Sequence, residues 1–262
     1  MSTDYTAYLR AAEVAAMKAG AFLRKQFYNA KLVDEALQHD LKLRLDKECQ
    51  QLIADYLLAA FPQSMILGEE GNAGCDQADF CWIVDPIDGT VNYFYGIPIF
   101  CVSIALQHRG QAVMGCVYDP MQQECFSAIV GQEPTLNGRP LAVSTRSRMA
   151  EAVMFIGHGT HDGSGEAGIR RFAHISCQVR KLRILGSAAL SICYIAAGRF
   201  DAYVEDRICL WDFAAARVIL EAAGGMVEFT PSAGDAVRGS ILAWNGHLPL
   251  HEALTMNYQH EK

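Results

Sequence analysis

Apolar residues recur near the start of the chain at Tyr5, Tyr8, Leu9, Ala12, Ala16, Ala19, Leu23 and Phe27. Steps of three and four residues lay one apolar stripe along a helix, expected over residues 4–27. A polar stretch, residues 29–39, follows. Leu41, Leu45, Leu52, Ile53, Tyr56 and Leu57 then predict a helix over residues 40–61, which Pro62 stops. Leu41, Leu43 and Leu45 also alternate, so extended chain is equally compatible with its start. Residues 65–71 read as a short buried strand ending in two acids, and 71–79 as a small polar loop. Strands are expected at 81–84, 100–107, 112–118 and 124–129, with Arg109-Gly110 as a hairpin joint. Asp119-Pro120 and Asn137-Gly138 are turn signals. Residues 158–168, rich in Gly, His, Ser and Asp, predict a loop. His158 and His161 within it form only a weak metal-ligand pair beside the plainer reading of a solvated loop. Helices follow over 187–197, ended by Gly198, and over 212–223, ended by Gly224-Gly225. Strands are expected at 200–204, 226–229 and 241–244, and a closing helix at 249–258.

The fold class expected is α/β (α+β), one unit spanning residues 1–262. Turn chemistry clusters at 137–145, suggesting an N-terminal α+β part, 1–140, and a C-terminal α/β part, 141–262. At 262 residues, 51% apolar and 19% charged, the chain can bury a large core. A net charge of −7 argues against nucleic acid as the main ligand. No apolar run reaches membrane-spanning length, and no signal peptide is evident. Nine scattered cysteines without a Cys-x-x-Cys read as free thiols of a cytoplasmic protein.

Candidate chemistry centres on Trp82-Ile83-Val84-Asp85-Pro86-Ile87-Asp88-Gly89-Thr90-Val91-Asn92-Tyr93. An apolar run ends in an acid, a proline turns the chain, and a second acid follows three residues on. Two carboxylates can converge there, and oxygen ligands on a stiff turn suit a hard cation such as Mg²⁺. The same residues also make an ordinary turn. Further acids stand at ends of expected elements: Asp46, Glu69, Glu70 and Asp212. Taken singly, Asp46 reads as a solvated helix face, Glu69-Glu70 as a surface loop and Asp212 as an N-cap. Taken together they adjoin apolar sequence without interleaved lysines or arginines, and buried carboxylates need a cation or partner.

The set resembles the inositol monophosphatase family. The resemblance rests on Gly68-Glu69-Glu70, on the 82–93 block, and on Leu210-Trp211-Asp212-Phe213-Ala214-Ala215-Ala216 leading to Glu221-Ala222-Ala223-Gly224-Gly225. Gly186-Ser187-Ala188-Ala189 and Ala197-Gly198-Arg199-Phe200-Asp201-Ala202-Tyr203 fit as well. It implies a layered α-β-α-β-α sandwich, a homodimer, and Mg²⁺-dependent, lithium-sensitive hydrolysis of small phosphate monoesters by metal-activated water. Two or three ions are implied. Glu69, Asp85 and the Ile87 carbonyl would hold the first. Asp85, Asp88 and Asp212 would hold the second. A looser third would sit by Glu69, with Glu70 in support. Asp46 and Thr90 would orient and deprotonate the water. Gly89 and Thr90 N–H groups would meet the phosphate, Glu205 the substrate hydroxyls, and Gly186, Ser187 and Ala188 would lie beside the substrate.

Two positions depart from the family pattern: Leu43 stands where a threonine is usual, and Glu35 where a lysine is usual. The substrate expected first is myo-inositol monophosphate. The alternatives are fructose 1,6-bisphosphate, histidinol phosphate or phosphoadenosine phosphate. Arg183 and the Arg180-Lys181 pair are candidates for a second anionic group, or else a solvated strand end. A haloacid-dehalogenase-like reading fails because Pro86, not an acid, lies two before Asp88. A reading of another class is a non-catalytic regulatory binding protein with this fold.

Overall fold

A computed structural model describes residues 3–29, 33–36, 41–75, 77–157 and 165–254, with 33–36, 41–43 and 165–168 as backbone only. In chain order its elements are α1 (Thr6–Gln26), β1 (Val33–Ala36), β2 (Leu41–Leu43), α2 (Arg44–Ala60), β3 (Met65–Gly68), β4 (Gly71–Gly74), β5 (Phe80–Asp88) and α3 (Thr90–Phe94). There follow β6 (Cys101–His108), β7 (Gln111–Asp119), β8 (Glu124–Ile129), β9 (Thr135–Leu136), β10 (Arg139–Pro140) and β11 (Val153–Ile156). The chain continues with α4 (Gly165–Ser176), β12 (Lys181–Arg183), α5 (Ala188–Ala196), β13 (Ala202–Cys209), α6 (Leu210–Ala222), β14 (Met226–Ser232), β15 (Asp235–Trp244) and α7 (Leu250–Leu254).

Eight strands form one sheet in the order β10-β9-β8-β7-β6-β5-β3-β4, and five form another in the order β12-β11-β13-β15-β14. Strands β3 and β5 run parallel, as do β11 with β12 and β11 with β13; the other pairs within the two sheets are antiparallel. Helices α1 and α2 cover the outer face of the large sheet around Leu23, Ile53, Leu57, Trp82 and Val102. Helices α5 and α6 fill the space between the sheets, packing Leu190, Ile192, Phe213 and Ile219 against Ile83, Val117, Phe126, Phe155 and Ile241. Helices α4 and α7 cover the far face of the small sheet through Ile175 and Leu250. The order of layers is α-β-α-β-α, the architecture expected from the sequence.

Helices α5 and α6 have little polar surface because sheets cover them on both sides. The middle layer is close enough to the large sheet that Gly115 of β7 touches backbone. A Cβ there would lie 2.1 Å from the carbonyl oxygen of Ala215 in α6. Gly115→Ala is therefore expected to cost about 2 kcal/mol or more, read from urea unfolding midpoints. Unchanged stability would contradict the close approach.

Among the described residues the expected elements are present, with several differences; β1, for one, forms inside the polar stretch at 29–39. Residues 71–79 do not form a loop throughout: Gly71–Gly74 pairs with β3 as an edge strand. All four of its residues are exposed, so the pairing comes from backbone and leaves no alternation to read. The segment at 40–61 divides into β2 and α2, the extended alternative for Leu41 and Leu43. Strand β5 runs on through Pro86 to Asp88, and β13 through to Cys209. Helix α4 begins at Gly165, inside the stretch expected as a loop. Residues 158–164, including His158 and His161, lie outside the described residues, as does the closing helix beyond Leu254. The departures at Glu35 and Leu43 fall where only backbone is described.

Candidate active site

Two residues three apart on a regular strand point to opposite faces. Asp85 and Asp88 do not, because β5 carries a bulge between them. Asp85 pairs with Ser103 and Asp88 with Cys101, so three steps on β5 match two on β6. Proline, which cannot donate to the ladder, is tolerated in such a bulge, and Pro86 occupies it. The extra residue returns Asp88 to the face of Asp85. Both carboxylates are buried. Asp85 Oδ1 accepts the N–H of Ile87 at 3.0 Å, which fixes its rotamer within the bulge.

Asp88 is held by the opposite half of the chain. Its carboxylate accepts Ser187 Oγ at 2.5 Å and the N–H groups of Ala188 and Ala189 at 3.1 and 2.8 Å. These belong to the first turn of α5, whose dipole also favours an anion. The thiol of Cys101 donates to the same carboxylate at 3.4 Å. Ser187 and Ala188 thus face the cavity while their polar groups are directed to Asp88. Gly89 and Gly186 meet beside this point. Both have positive φ, and a Cβ on Gly89 would lie 2.9 Å from the Ile99 carbonyl. Asn92 Nδ2 ties α3 to the segment before β6 through the carbonyl of Ile99 and to the segment before α5 through that of Leu185, both at 2.9 Å.

Glu69 and Glu70 follow β3. Gln50 of α2 clamps their turn: its Oε1 accepts the Glu70 N–H at 3.0 Å and its Nε2 donates to the Gly71 carbonyl at 2.9 Å. Gly68 leaves the space for that carboxamide, which a Cβ would approach within 2.2 Å. Asp46, in the first turn of α2, is buried, not a solvated helix face. The Thr90 hydroxyl lies 2.9 Å from the Ile87 carbonyl and 3.5 Å from Asp46 Oδ1. Asp212 sits in the first turn of α6 and accepts the Cys209 N–H at 2.8 Å. It therefore caps the helix from inside while facing the cavity. The Tyr203 hydroxyl donates to Glu205, and Gly157 leaves room for that carboxylate.

These residues surround a cavity of about 680 Å³. Glu69, Asp85, Ile87, Asp88, Gly89, Thr90, Gly186, Ser187, Ala188, Glu205 and Asp212 line it. Asp46 and Glu70 are not among the residues that line it. Arg183 is exposed, bonded to its own strand at the Leu182 carbonyl, and does not line the cavity. Arg207 and Arg238 do. Among the described residues no three His, Cys, Asp or Glu side chains close round a single point; the acids are spread over the walls. Gln50, Asn92 and Arg238 were not legible as site residues, because their partners lie on remote segments; Tyr203 and Arg207 were missed as well, although Tyr203's partner Glu205 is only two residues away.

Burial raises the carboxyls of Asp85 and Asp212 well above the ordinary range, and neighbouring acids add to it: Glu69, then Asp88, in each case. Burial also raises Asp88, against hydrogen bonds led by Ser187 that pull it down. Burial pushes Glu205 up to about 7. An oxygen-only donor set under mutual repulsion fits hard divalent cations, which would offset the negative charge. Without such ions the folded chain holds more protons than the unfolded one, so stability falls as pH rises from about 4 through the raised values. Glu205 alone, displaced from 4.5 to about 7, accounts for roughly 2–3 kcal/mol, the lower end because it keeps part of its surface in water. The metal-free protein should melt higher at pH 5 than at pH 7.5, and Glu205→Gln should flatten that slope. A melting temperature that rises over the same interval would contradict it.

The fold and the relatives together define the class, a phosphomonoesterase of layered α/β architecture. A sequence model of the inositol monophosphatase family matches residues 4–259. The chain belongs to that family. It is 37% identical over 250 residues to inositol monophosphatase 3 of Solanum lycopersicum, covering 92% of this chain and 93% of that protein. It is 36% identical over 220 residues to Nus factor SuhB of Pseudomonas aeruginosa, covering 81% of each. Among solved structures, extragenic suppressor protein suhB from Bartonella henselae superposes with a TM-score of 0.88 at 31% identity, over 96% of this chain and 100% of that one. No helix among the described residues is long and apolar enough to cross a membrane.

Proposed function

We propose that the chain is a Mg²⁺-dependent phosphomonoesterase acting on a small polyol or sugar phosphate, with myo-inositol monophosphate as the reference substrate. The carrying observation is that Glu69, Asp85, Asp88 and Asp212, from three separate stretches of backbone, line one cavity, and that burial and mutual repulsion raise the carboxyls of Asp85 and Asp212.

Glu69, Asp85 and the Ile87 carbonyl would hold one ion, and Asp85, Asp88 and Asp212 a second, with a third at Glu69 supported by Glu70. Bound divalent ions neutralise phosphate charge, lower the pKa of water and steady the leaving oxygen. Asp88, already locked by Ser187 and the first turn of α5, presents its carboxylate without reorganising. The Gly89 and Thr90 N–H groups, at the start of the short helix α3, face the phosphate. Thr90 and Asp46 orient the attacking water and take its proton. Glu205, with Tyr203 donating to it, reads hydroxyls of the leaving group. With water as the nucleophile, no covalent enzyme intermediate is needed. A homodimer in the cytoplasm is part of the same reading.

Purified protein with Mg²⁺ should release phosphate from inositol 1-phosphate or another member of a panel of polyol, sugar and nucleotide phosphates. Folded protein that releases none from any of them would overturn the reading. The relative named as a Nus factor raises a regulatory role; with the acidic set complete, such a role would stand beside catalysis, not replace it.

A further inference from the structure

Glu69 and Glu70 are the two residues between β3 and β4. Gly68 pairs with Gly71 across them, so they form a two-residue hairpin loop. Such loops match the twist of their strands when the first residue takes a positive φ, which is why glycine and asparagine lead there. Among the described residues the non-glycine positions with positive φ are Arg109, Gln123 and Asn137; neither glutamate is one of them. The loop is held from outside instead. On one side the Glu69 N–H donates to the Val84 carbonyl of β5 at 3.2 Å. On the other, the buried carboxamide of Gln50 accepts the Glu70 N–H at 3.0 Å and donates to the Gly71 carbonyl at 2.9 Å. One neutral group supplies both acceptor and donor, as an ionised carboxylate could not. It adds no charge to a site already crowded with acids.

Gln50 stands one helical turn after Asp46 on α2, on the same face. Between them in sequence, the Cys49 thiol donates to the Pro86 carbonyl at 3.5 Å. The first half of α2 thus touches the site at three places: at Thr90 through Asp46, at the β5 bulge through Cys49, and at the β3–β4 loop through Gln50. Gly68 completes the last contact, since a Cβ there would lie 2.2 Å from Gln50 Oε1. Glu69 lines the cavity with Asp85, so the direction of its carboxylate depends on the loop that carries it. Groups that orient a metal ligand from behind govern affinity nearly as strongly as the ligand itself. We propose that Gln50 is a positioning residue: by clamping the Glu69–Glu70 loop to α2 it aims the Glu69 carboxylate at the ion shared with Asp85, and so sets the affinity for Mg²⁺. This rests on the metal-dependent reading of the site and adds a residue outside its ligand set. The competing role is purely structural, a seal for buried backbone groups, which would change stability and leave Mg²⁺ affinity alone.

The test is Mg²⁺ binding to the full chain, read by titration calorimetry without substrate. Alongside it runs the Mg²⁺ concentration that gives half-maximal phosphate release from inositol 1-phosphate. Gln50→Ala removes both contacts and keeps α2 helical. Gly68→Ala displaces the same carboxamide while leaving Gln50 in the chain. Each should weaken Mg²⁺ binding roughly tenfold to a hundredfold, with kcat at saturating Mg²⁺ reduced only a few-fold. The double variant should bind little more weakly than Gln50→Ala alone, because both changes break one contact. Gln51→Ala, on the exposed side of α2, should bind Mg²⁺ as the wild type does. Melting temperatures of the metal-free variants report folding; if Gln50→Ala fails to fold, Gly68→Ala carries the test. Wild-type Mg²⁺ affinity in either folded single variant, or losses that multiply in the double variant, would overturn the proposal. Absence of Mg²⁺ binding by the wild type would instead remove the metal-dependent reading, and the proposal with it.

Discussion

Asp85→Asn is expected to lower kcat/KM for any phosphomonoester by on the order of a thousandfold or more. Asparagine keeps the size of the side chain and can still accept the Ile87 N–H that Asp85 accepts now. It removes one negative charge from the residue proposed to serve two ions at once. The same substitution should raise the melting temperature of the metal-free protein, because Asp85 is buried among Glu69, Asp88, Asp212 and Asp46. It should also reduce the stabilisation that added Mg²⁺ gives the wild type. A dead variant that also melts lower without metal would point to misfolding instead of a lost ligand. A variant with near-normal turnover would remove Asp85 from the mechanism.

The second large effect concerns residues that touch one another at the edge of the site. Asp46→Asn and Thr90→Val should each lower kcat by roughly a hundred- to a thousandfold, with KM changed only a few-fold. In the structure the Thr90 hydroxyl is nearer the Ile87 carbonyl than Asp46, 2.9 against 3.5 Å. The contact with Asp46 is long, as catalytic hydrogen bonds often are before substrate binds. If the two act as one relay, the double variant should be little worse than either single one. Effects that multiply would show that Asp46 and Thr90 act separately.

The acidic site was legible in the sequence because its residues recur in ordered blocks with short internal spacing. The cause of one spacing was not. Asp85 and Asp88 are three apart on a strand, which by alternation alone separates them. Only the pairing of β5 with β6 shows the bulge that reunites them. Asp46 shows the limit of single-residue reasoning, since a helix face beside Lys47 looks solvated until the packing of α2 on β5 buries it. The helices were readable from their apolar stripes. Strand β4 was not, since a run of glycine, asparagine and alanine carries no pattern and forms because β3 offers an unpaired edge. Gln50, Asn92 and Arg238 act on partners far away in sequence or across a neighbouring strand, and no local motif announces them. Arg183 is the converse case: its place before Gly186 suggested a substrate contact, and the fold leaves it on the surface.

The central claim is that acids from distant parts of the chain share divalent ions and that this assembly cleaves the ester. Phosphate release by the purified protein, followed before and after exhaustive chelation and again after Mg²⁺ is returned, tests it directly. The account predicts loss of turnover to background on chelation and its recovery with Mg²⁺ alone. Full turnover in the chelated protein would contradict it.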